Sequence, residues 1–157
     1  MLPLAAENHE FARRRPVQRH VAGVPGWPSV LLATSDPEIW RTMGELLQSC
    51  KVNMLSANSI EEIRCALASE DIVACFSGFW LLDGTYRDVM MHLKRQRAEI
   101  PAIIVCAPTC PQEYTGYLAA LNIRAFDFIC YPYSRIDLER ILDSAIGLRR
   151  QLFKLFR

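Results

Sequence analysis

The chain has 157 residues, which suffices for one buried core and is too short for two ordinary domains. Hydrophobic residues make up 51% and charged residues 22%, a composition that excludes intrinsic disorder, and the net charge of +1 indicates no nucleic-acid partner. No apolar run reaches the roughly 18 residues of a membrane span, and the first thirty residues lack a signal-peptide pattern, so a cytoplasmic location is expected.

Residues 1–27 are predicted to form a flexible N-terminal tail, because prolines and glycines occur there without a sustained apolar period. The tail also carries Arg13, Arg14, Arg15 and Arg19. We interpret these arginines as solvated, with a contact to nucleic acid or acidic lipid as the alternative. From Pro28 onward, apolar runs of strand length alternate with helical periods, which predicts βα units on a parallel sheet.

The first predicted strand is Ser29–Ala33, apolar after its serine as in a strand covered on both faces. Asp36 is placed to cap the helix that follows. A second strand is predicted over 52–56, and a capping box from Ser59 to Glu62 begins the second helix.

The remaining predicted elements follow the same alternation. In chain order they are a strand over 72–76, a turn at Asp83–Gly84, a helix, a strand over 102–106, a helix over 111–122, a strand over 125–130 and a long last helix from Ser134. Right-handed crossovers between five such units predict a doubly wound α/β fold. Its five-stranded parallel sheet would have the order 2-1-3-4-5, with any ligand crevice at the carboxyl ends of the strands.

The order and spacing of four segments resemble the receiver domain of bacterial response regulators, the CheY-like family, over residues 28–148. These segments are VLLATSDPEIW (30–40), DIVACFSGFWLLDG (71–84), PAIIVCA (101–107) and AFDFICYPY (125–133). The resemblance implies a flavodoxin-like (βα)5 fold and a role in two-component phosphorelay signalling through protein partners.

The resemblance also implies a phosphorylation site that this sequence lacks. In the family, two acids after the first strand hold Mg²⁺, and an aspartate ending the third strand accepts a phosphoryl group. The positions that match the family's site are occupied by Thr34, Ser35, Phe76, Cys106 and Tyr131. A different gap places the acceptor at Ser77 or Gly78, and neither forms an acyl phosphate. We therefore expect a degenerate pseudo-receiver that is not an enzyme and holds no metal or cofactor.

Structural roles are predicted for Asp36, Asp83, Gly84 and Pro132, and the resemblance implies a cis Tyr131–Pro132 bond. Asp36 and Asp83 could instead contribute to a weak cation site, although helix capping and turn formation explain each of them.

Two further features of the crevice leave alternatives open. Cys75, Cys106 and Cys130 could form a thiol cluster there, although buried structural cysteines are commoner. Trp80, Leu81 and Leu82 form an apolar loop that either covers the vacated pocket or presents a docking surface.

The last helix is predicted to reach Arg157, a length of about 35 Å that exceeds what the sheet needs. Its residues 149–157 form a basic amphipathic extension, for which helix pairing is favoured over membrane binding. The candidate interface, used for a protein partner or a homodimer, is the face from the fourth to the last helix, with Tyr114, Tyr117, Leu118, Phe128, Leu152 and Phe156. The prediction is thus a signalling protein that acts by phosphorylation-independent protein contacts. The alternatives are a redox- or phosphate-responsive regulator and a small α/β enzyme.

Overall fold

The computed structural model of the chain describes residues 18–19, 23–95, 100–106 and 125–155. The strands are β1 (Gln18–Arg19), β2 (Ser29–Ala33), β3 (Asn53–Ala57), β4 (Ile72–Ser77), β5 (Trp80–Leu81), β6 (Gly84–Thr85), β7 (Ala102–Cys106) and β8 (Asp127–Cys130). The helices are α1 (Pro37–Gln48), α2 (Ile60–Ser69), α3 (Tyr86–Arg95) and α4 (Arg135–Leu155). The helix predicted over 111–122, with Tyr114, Tyr117 and Leu118, lies outside the described residues, as does Phe156.

Five parallel strands form the centre of the sheet in the order β3-β2-β4-β7-β8. This confirms the doubly wound α/β fold and the predicted order 2-1-3-4-5. The strand after β2 in the chain, β3, pairs with one side of β2, and the next strand, β4, pairs with the other side. The switch in winding places a crevice at the carboxyl ends of β2 and β4, where doubly wound folds place their functional sites.

A sixth strand comes from the segment predicted as a flexible tail. β1 pairs antiparallel with Leu55 and Ser56 at the outer edge of β3. The side-chain amide of Asn53 then holds the loop that leads into β2, donating to the carbonyl oxygens of Val24 at 3.0 Å and Trp27 at 3.1 Å. These are backbone and amide contacts, which an apolar pattern in the sequence does not encode.

The first two helices begin where their capping residues predict. The Asp36 carboxylate accepts a hydrogen bond from the Glu38 backbone N–H at 2.9 Å, and the Ser59 hydroxyl accepts from the Glu62 N–H at 3.1 Å. The Glu62 carboxylate accepts in turn from the N–H of Asn58 at 3.1 Å, one residue before the cap. Both caps fix the point at which a loop of the crevice ends.

The sheet separates two apolar clusters, because side chains alternate between its faces along each strand. Leu31 and Cys75 point toward α2 and α3, whereas Leu32 and Phe76 point toward α1 and α4. Both clusters therefore continue to the carboxyl ends of β2 and β4.

Arg149 fastens α4 to the amino end of β4. Its guanidinium forms an ion pair with the Asp71 carboxylate and donates to the carbonyl oxygen of Ile72. The Arg149 side chain is only 20% exposed. Past this attachment, α4 continues to Leu155. Among the described helices, none combines the length and the apolar character needed to cross a membrane.

Candidate functional site

The loop after β2 has its hydroxyl groups engaged by the protein itself. Thr34 is buried, and its hydroxyl oxygen accepts from the Asp36 backbone N–H at 3.0 Å. The Ser35 hydroxyl donates to the carbonyl oxygen of Trp80 at 2.8 Å, and the Ser35 N–H donates to the same oxygen at 3.0 Å. The loops after β2 and β4 are thereby joined to each other.

The end of β4 is part of the hydrophobic core. Phe76 is 0% exposed and lies between Leu32 of β2 and Ile103 of β7 in the sheet register. Ser77 is also fully buried, and its hydroxyl donates to the carbonyl oxygen of Gly78 at 2.9 Å. The crevice therefore ends on an aromatic ring and on a hydroxyl that is already bonded.

The backbone of Gly78 closes the space between the two loops. A Cβ atom at Gly78 would lie 2.7 Å from the hydroxyl oxygen of Thr34 and 3.7 Å from a methyl carbon of Ile39. The Gly78 N–H donates to the carbonyl oxygen of Ala33 at 2.9 Å. No side chain fits at this position without displacing Thr34, so the loops touch directly.

These residues do not fit the magnesium site of a receiver domain. A hard divalent cation needs several oxygen ligands, usually including carboxylates. The Asp36 carboxylate caps α1, and the Asp83 carboxylate accepts from the backbone N–H of Ile60 at 2.6 Å, which caps α2. Within the described parts of the chain, no group of three or more His, Cys, Asp or Glu side chains could hold a metal ion.

The segment after the crevice forms a small hairpin. β5 pairs antiparallel with β6 around a turn at Leu82 and Asp83. The turn predicted at Asp83–Gly84 is therefore displaced by one residue, and Gly84 lies in β6. Glycine is needed there for a close approach, since a Cβ atom at Gly84 would lie 2.6 Å from a carboxylate oxygen of Asp88 and 3.0 Å from Ile60. Sequence reasoning missed that Asp83 caps a helix that begins 23 residues earlier; no local pattern signals that contact.

The three apolar residues of this hairpin have different surroundings. Leu81 is 6% exposed and covers the cluster under α2 and α3. Trp80 and Leu82 are 65% and 68% exposed. Of the two predicted alternatives, covering the pocket fits Leu81, and an exposed apolar surface fits Trp80 and Leu82.

The sheet register separates the cysteines of the alternative thiol cluster. Cys75 is 0% exposed, and burial raises the pKa of its thiol to about 12. It lies opposite Ala102, at the other end of β7 from Cys106. Cys106 and Cys130 are direct neighbours at the ends of β7 and β8, and Cys130 is exposed. The side chain of Cys106 is outside the described part of the structure.

The end of β8 carries the cis Tyr131–Pro132 bond that the resemblance implied. Tyr131 is half exposed, and its ring contacts Tyr133 edge to face with 5.7 Å between ring centroids. Tyr131 and Tyr133 thus place an aromatic pair at the carboxyl end of β8.

Two residues of the candidate interface lie in described elements. Phe128 is partly buried and packs against the cluster under α2 and α3. Leu152 lies in α4, with its side chain outside the described part. Phe128 therefore contributes to the core more than to an open surface.

A cleft of about 310 Å³ lies away from the crevice, between the end of α1 and α4. Its lining includes Arg135, which bonds Glu139 at 2.9 Å and the carbonyl oxygen of Ser49 at 3.2 Å. It also includes Cys50, and burial raises the pKa of that thiol. None of the predicted site residues lines this cleft.

No protein-family model and no curated protein matches this sequence. Solved receiver domains match the structure. The signal receiver domain of an HD domain-containing protein from Pseudomonas fluorescens Pf-5 has a TM-score of 0.70 and 18% identity, covering 86% of this chain and 98% of that one. A receiver domain from Clostridium thermocellum has a TM-score of 0.69 and 18% identity, covering 80% and 98%.

A third match is the receiver domain of a sensor histidine kinase from Pseudomonas aeruginosa PAO1, which coordinates a magnesium ion in its active site cleft. Its TM-score is 0.67 at 17% identity, and the match covers 78% of this chain and 99% of that one. The chain therefore has the fold of the response-regulator receiver domains.

Proposed function

We propose that this protein is a receiver-like signalling module of a cytoplasmic two-component pathway that acts by binding other proteins, without phosphorylation. The observation that carries this proposal is the surroundings of Phe76. An acyl phosphate needs a carboxylate at the end of β4, and a fully buried phenyl ring occupies that position. Ser77 and Gly78, the alternative acceptor positions, are buried and also lack a carboxylate.

The contacts around the crevice favour a single arrangement of the loops after β2 and β4. A ligand or modification shifts a conformational equilibrium only if it interacts differently with two states. Here the Ser35 hydroxyl is bonded to Trp80, and Thr34 packs on Gly78. With no place for a phosphoryl group, the binding surfaces of the module would be present at all times.

Incubation with acetyl phosphate and Mg²⁺, followed by intact-mass measurement, tests this function. The mass should stay unchanged, whereas a receiver domain that retains its aspartate gains one phosphoryl group under the same conditions. A gain by this protein that disappears in the Asp36→Asn variant would assign the acceptor to Asp36 and overturn the proposal.

The proposed binding surface includes the end of α4. A chain that stops after Arg149 keeps the ion pair with Asp71 and loses only the part of α4 beyond the sheet. This truncation should leave the unfolding transition in urea unchanged and weaken self-association in sedimentation velocity. A loss of stability with unchanged association would place the end of α4 in the core instead.

A second candidate function is a thiol-based redox response, favoured by the register of Cys106 and Cys130. Neighbouring strands lie about 4.8 Å apart, within the range of Cα separations in disulfides. Diamide, a two-electron oxidant, would remove one hydrogen from each thiol as the S–S bond forms. Peptide mapping without reductant should then show the linked pair, and Cys130→Ser should abolish it. Two free thiols after oxidation would dismiss this candidate.

A further inference from the structure

The β5–β6 hairpin presents two large apolar side chains to solvent on a rigid backbone. Trp80 and Leu82 are exposed, while Leu81 between them is buried. The carbonyl oxygen of Trp80 accepts two hydrogen bonds from Ser35, and the Leu82 N–H donates to the carbonyl oxygen of Asn58 at 2.9 Å. A rigid surface loses little conformational entropy on binding, and tryptophan is enriched among residues that dominate interface energies. We call Trp80 and Leu82 the hairpin surface.

The segments connected to the hairpin carry more acidic than basic side chains. The first turns of α1 and α2 are bonded to the hairpin through Ser35 and Asp83, and α3 follows β6 directly. The acids of these segments are Asp36, Glu38, Glu61, Glu62, Asp83 and Asp88, and the bases are Arg41, Arg64 and Arg87. Arg41 and Arg64 form ion pairs with acids of their own helices. The remaining acids outnumber Arg87, so the net charge of the segments connected to the hairpin is negative.

The end of α4 has the complementary character. Beyond Arg149, the helix continues through Arg150 and Lys154 to Leu155. Both basic residues are exposed, and Leu155 is 78% exposed. This helix end therefore presents an apolar side chain together with positive charge, as the partner of an acidic apolar surface should.

The two surfaces lie at opposite ends of the molecule. The hairpin follows the carboxyl end of β4, whereas Arg149 is attached to Asp71 and Ile72 at its amino end. The six residues of β4 span roughly 20 Å. The helix from Arg149 to Leu155 adds only about 9 Å, which is too short to return over that distance, so the two surfaces meet only between molecules.

We propose that the hairpin surface of one copy binds the end of α4 of a second copy, in a head-to-tail contact. Opposite charges and exposed apolar side chains on both surfaces favour this occupant. A contact between two different surfaces leaves one of each free at the ends, so it propagates into rings or open chains. The inference rests on the proposed function, because it names one partner of the binding module.

Sedimentation velocity at increasing concentration tests the contact with two variants. The hairpin variant carries Trp80→Ser and Leu82→Ser, and the helix variant carries Leu155→Ser. Each should raise the dissociation constant at least roughly tenfold, as expected when an interface anchor is lost. Ile136→Ser is the matched control, since Ile136 is 79% exposed at the other end of α4, and its association should equal that of the unchanged protein.

Mixing the two variants distinguishes a head-to-tail contact from a symmetric one. The helix variant keeps an intact hairpin surface, and the hairpin variant keeps an intact helix end. Their mixture should therefore form a dimer with the original affinity and stop there, because both remaining surfaces are disabled. A symmetric contact between two α4 helices predicts self-association of the hairpin variant and no dimer between the variants.

Higher salt should also weaken the association, because the contact joins opposite charges. A monomer at all concentrations up to high micromolar, or unchanged association in both variants, overturns the inference. If the mass with acetyl phosphate still stays unchanged, the proposal of a phosphorylation-independent binding module stands, while self-association through this contact falls.

Discussion

Phe76 and Trp80 are aromatic residues four positions apart at the same edge of the sheet, and their surroundings are opposite. Phe76 is fully buried, whereas Trp80 is 65% exposed. Folding explains the first, because a phenyl ring at the end of β4 joins the core under α1 and α4. It does not explain the second, since an exposed tryptophan contributes little to stability. Phe76 therefore serves the packing of the core, whereas the side chain of Trp80 is available for binding.

The largest effect on the buried side should come from Phe76→Asp. An unpaired carboxylate in this core should lower the free energy of unfolding by about 3–5 kcal/mol. Phe76→Leu, the apolar control, should cost about 1–2 kcal/mol. Urea unfolding measures both. A stable Phe76→Asp variant that gains a phosphoryl group from acetyl phosphate would show that the family's site survives around it.

Gly78→Ala tests whether the two loops touch as closely as the backbone indicates. The added methyl group would lie 2.7 Å from the Thr34 hydroxyl oxygen, so a loss of about 1–3 kcal/mol is expected. Gly147→Ala is the control: that glycine lies inside α4, and apart from its own helix backbone and chain neighbours no atom lies within 4 Å of the added Cβ, so a gain of about 0.5–1 kcal/mol is expected. Equal stability of both variants in thermal unfolding would mean that the crevice has room.

The buried thiol of Cys75 should make stability depend on pH. Burial raises its pKa from 9.0 to about 12, so the folded state holds the proton more tightly than the unfolded chain. Its contribution is complete below pH 9 and is lost as the pH rises toward 12, at up to about 1.4 kcal/mol per pH unit. The difference in stability between the protein and Cys75→Ala, measured by urea unfolding at pH 8 and pH 10, should shrink accordingly. A constant difference would mean that Cys75 ionises freely in the folded state.

The smallest effect on stability is expected on the exposed side. Trp80→Ser should change the free energy of unfolding by no more than about 0.5 kcal/mol, because the side chain is mostly in solvent. The same variant should weaken self-association. Urea unfolding measures its stability, and sedimentation velocity of the same sample measures its association. A large loss of stability would show that Trp80 belongs to the core.

The sequence predicts the parallel sheet well because its signals are local. The apolar runs at Ser29–Ala33 and 102–106 coincide with β2 and β7, and Asp36 and Ser59 cap the helices they precede. Buried strands and helix starts depend on residues within a few positions of each other, so a single chain reveals them.

The crevice depends on contacts between residues that are distant in sequence. The pattern of apolar and polar residues along the chain does not reveal such contacts. Asp83 caps α2 from another loop, and the Thr34 hydroxyl lies against Gly78. The strands of the hairpin have two residues each, too few for a visible alternation of apolar and polar positions. The sequence marks Trp80, Leu81 and Leu82 as an apolar loop but does not show which of their side chains point outward.

The short pairing of β1 with β3 affects the tendency of the protein to aggregate. An uncovered edge strand offers a row of free backbone groups to which other chains can add, a common route to aggregation. β1 occupies that row at Leu55 and Ser56 with reversed polarity, and Asn53 anchors the loop behind it. β1 thereby covers part of the edge of β3 that would otherwise be free to pair with another chain. A chain shortened to begin at Gly23 would keep the core around Phe76 but expose the edge of β3. It should therefore aggregate more readily through pairing of β-strands between molecules.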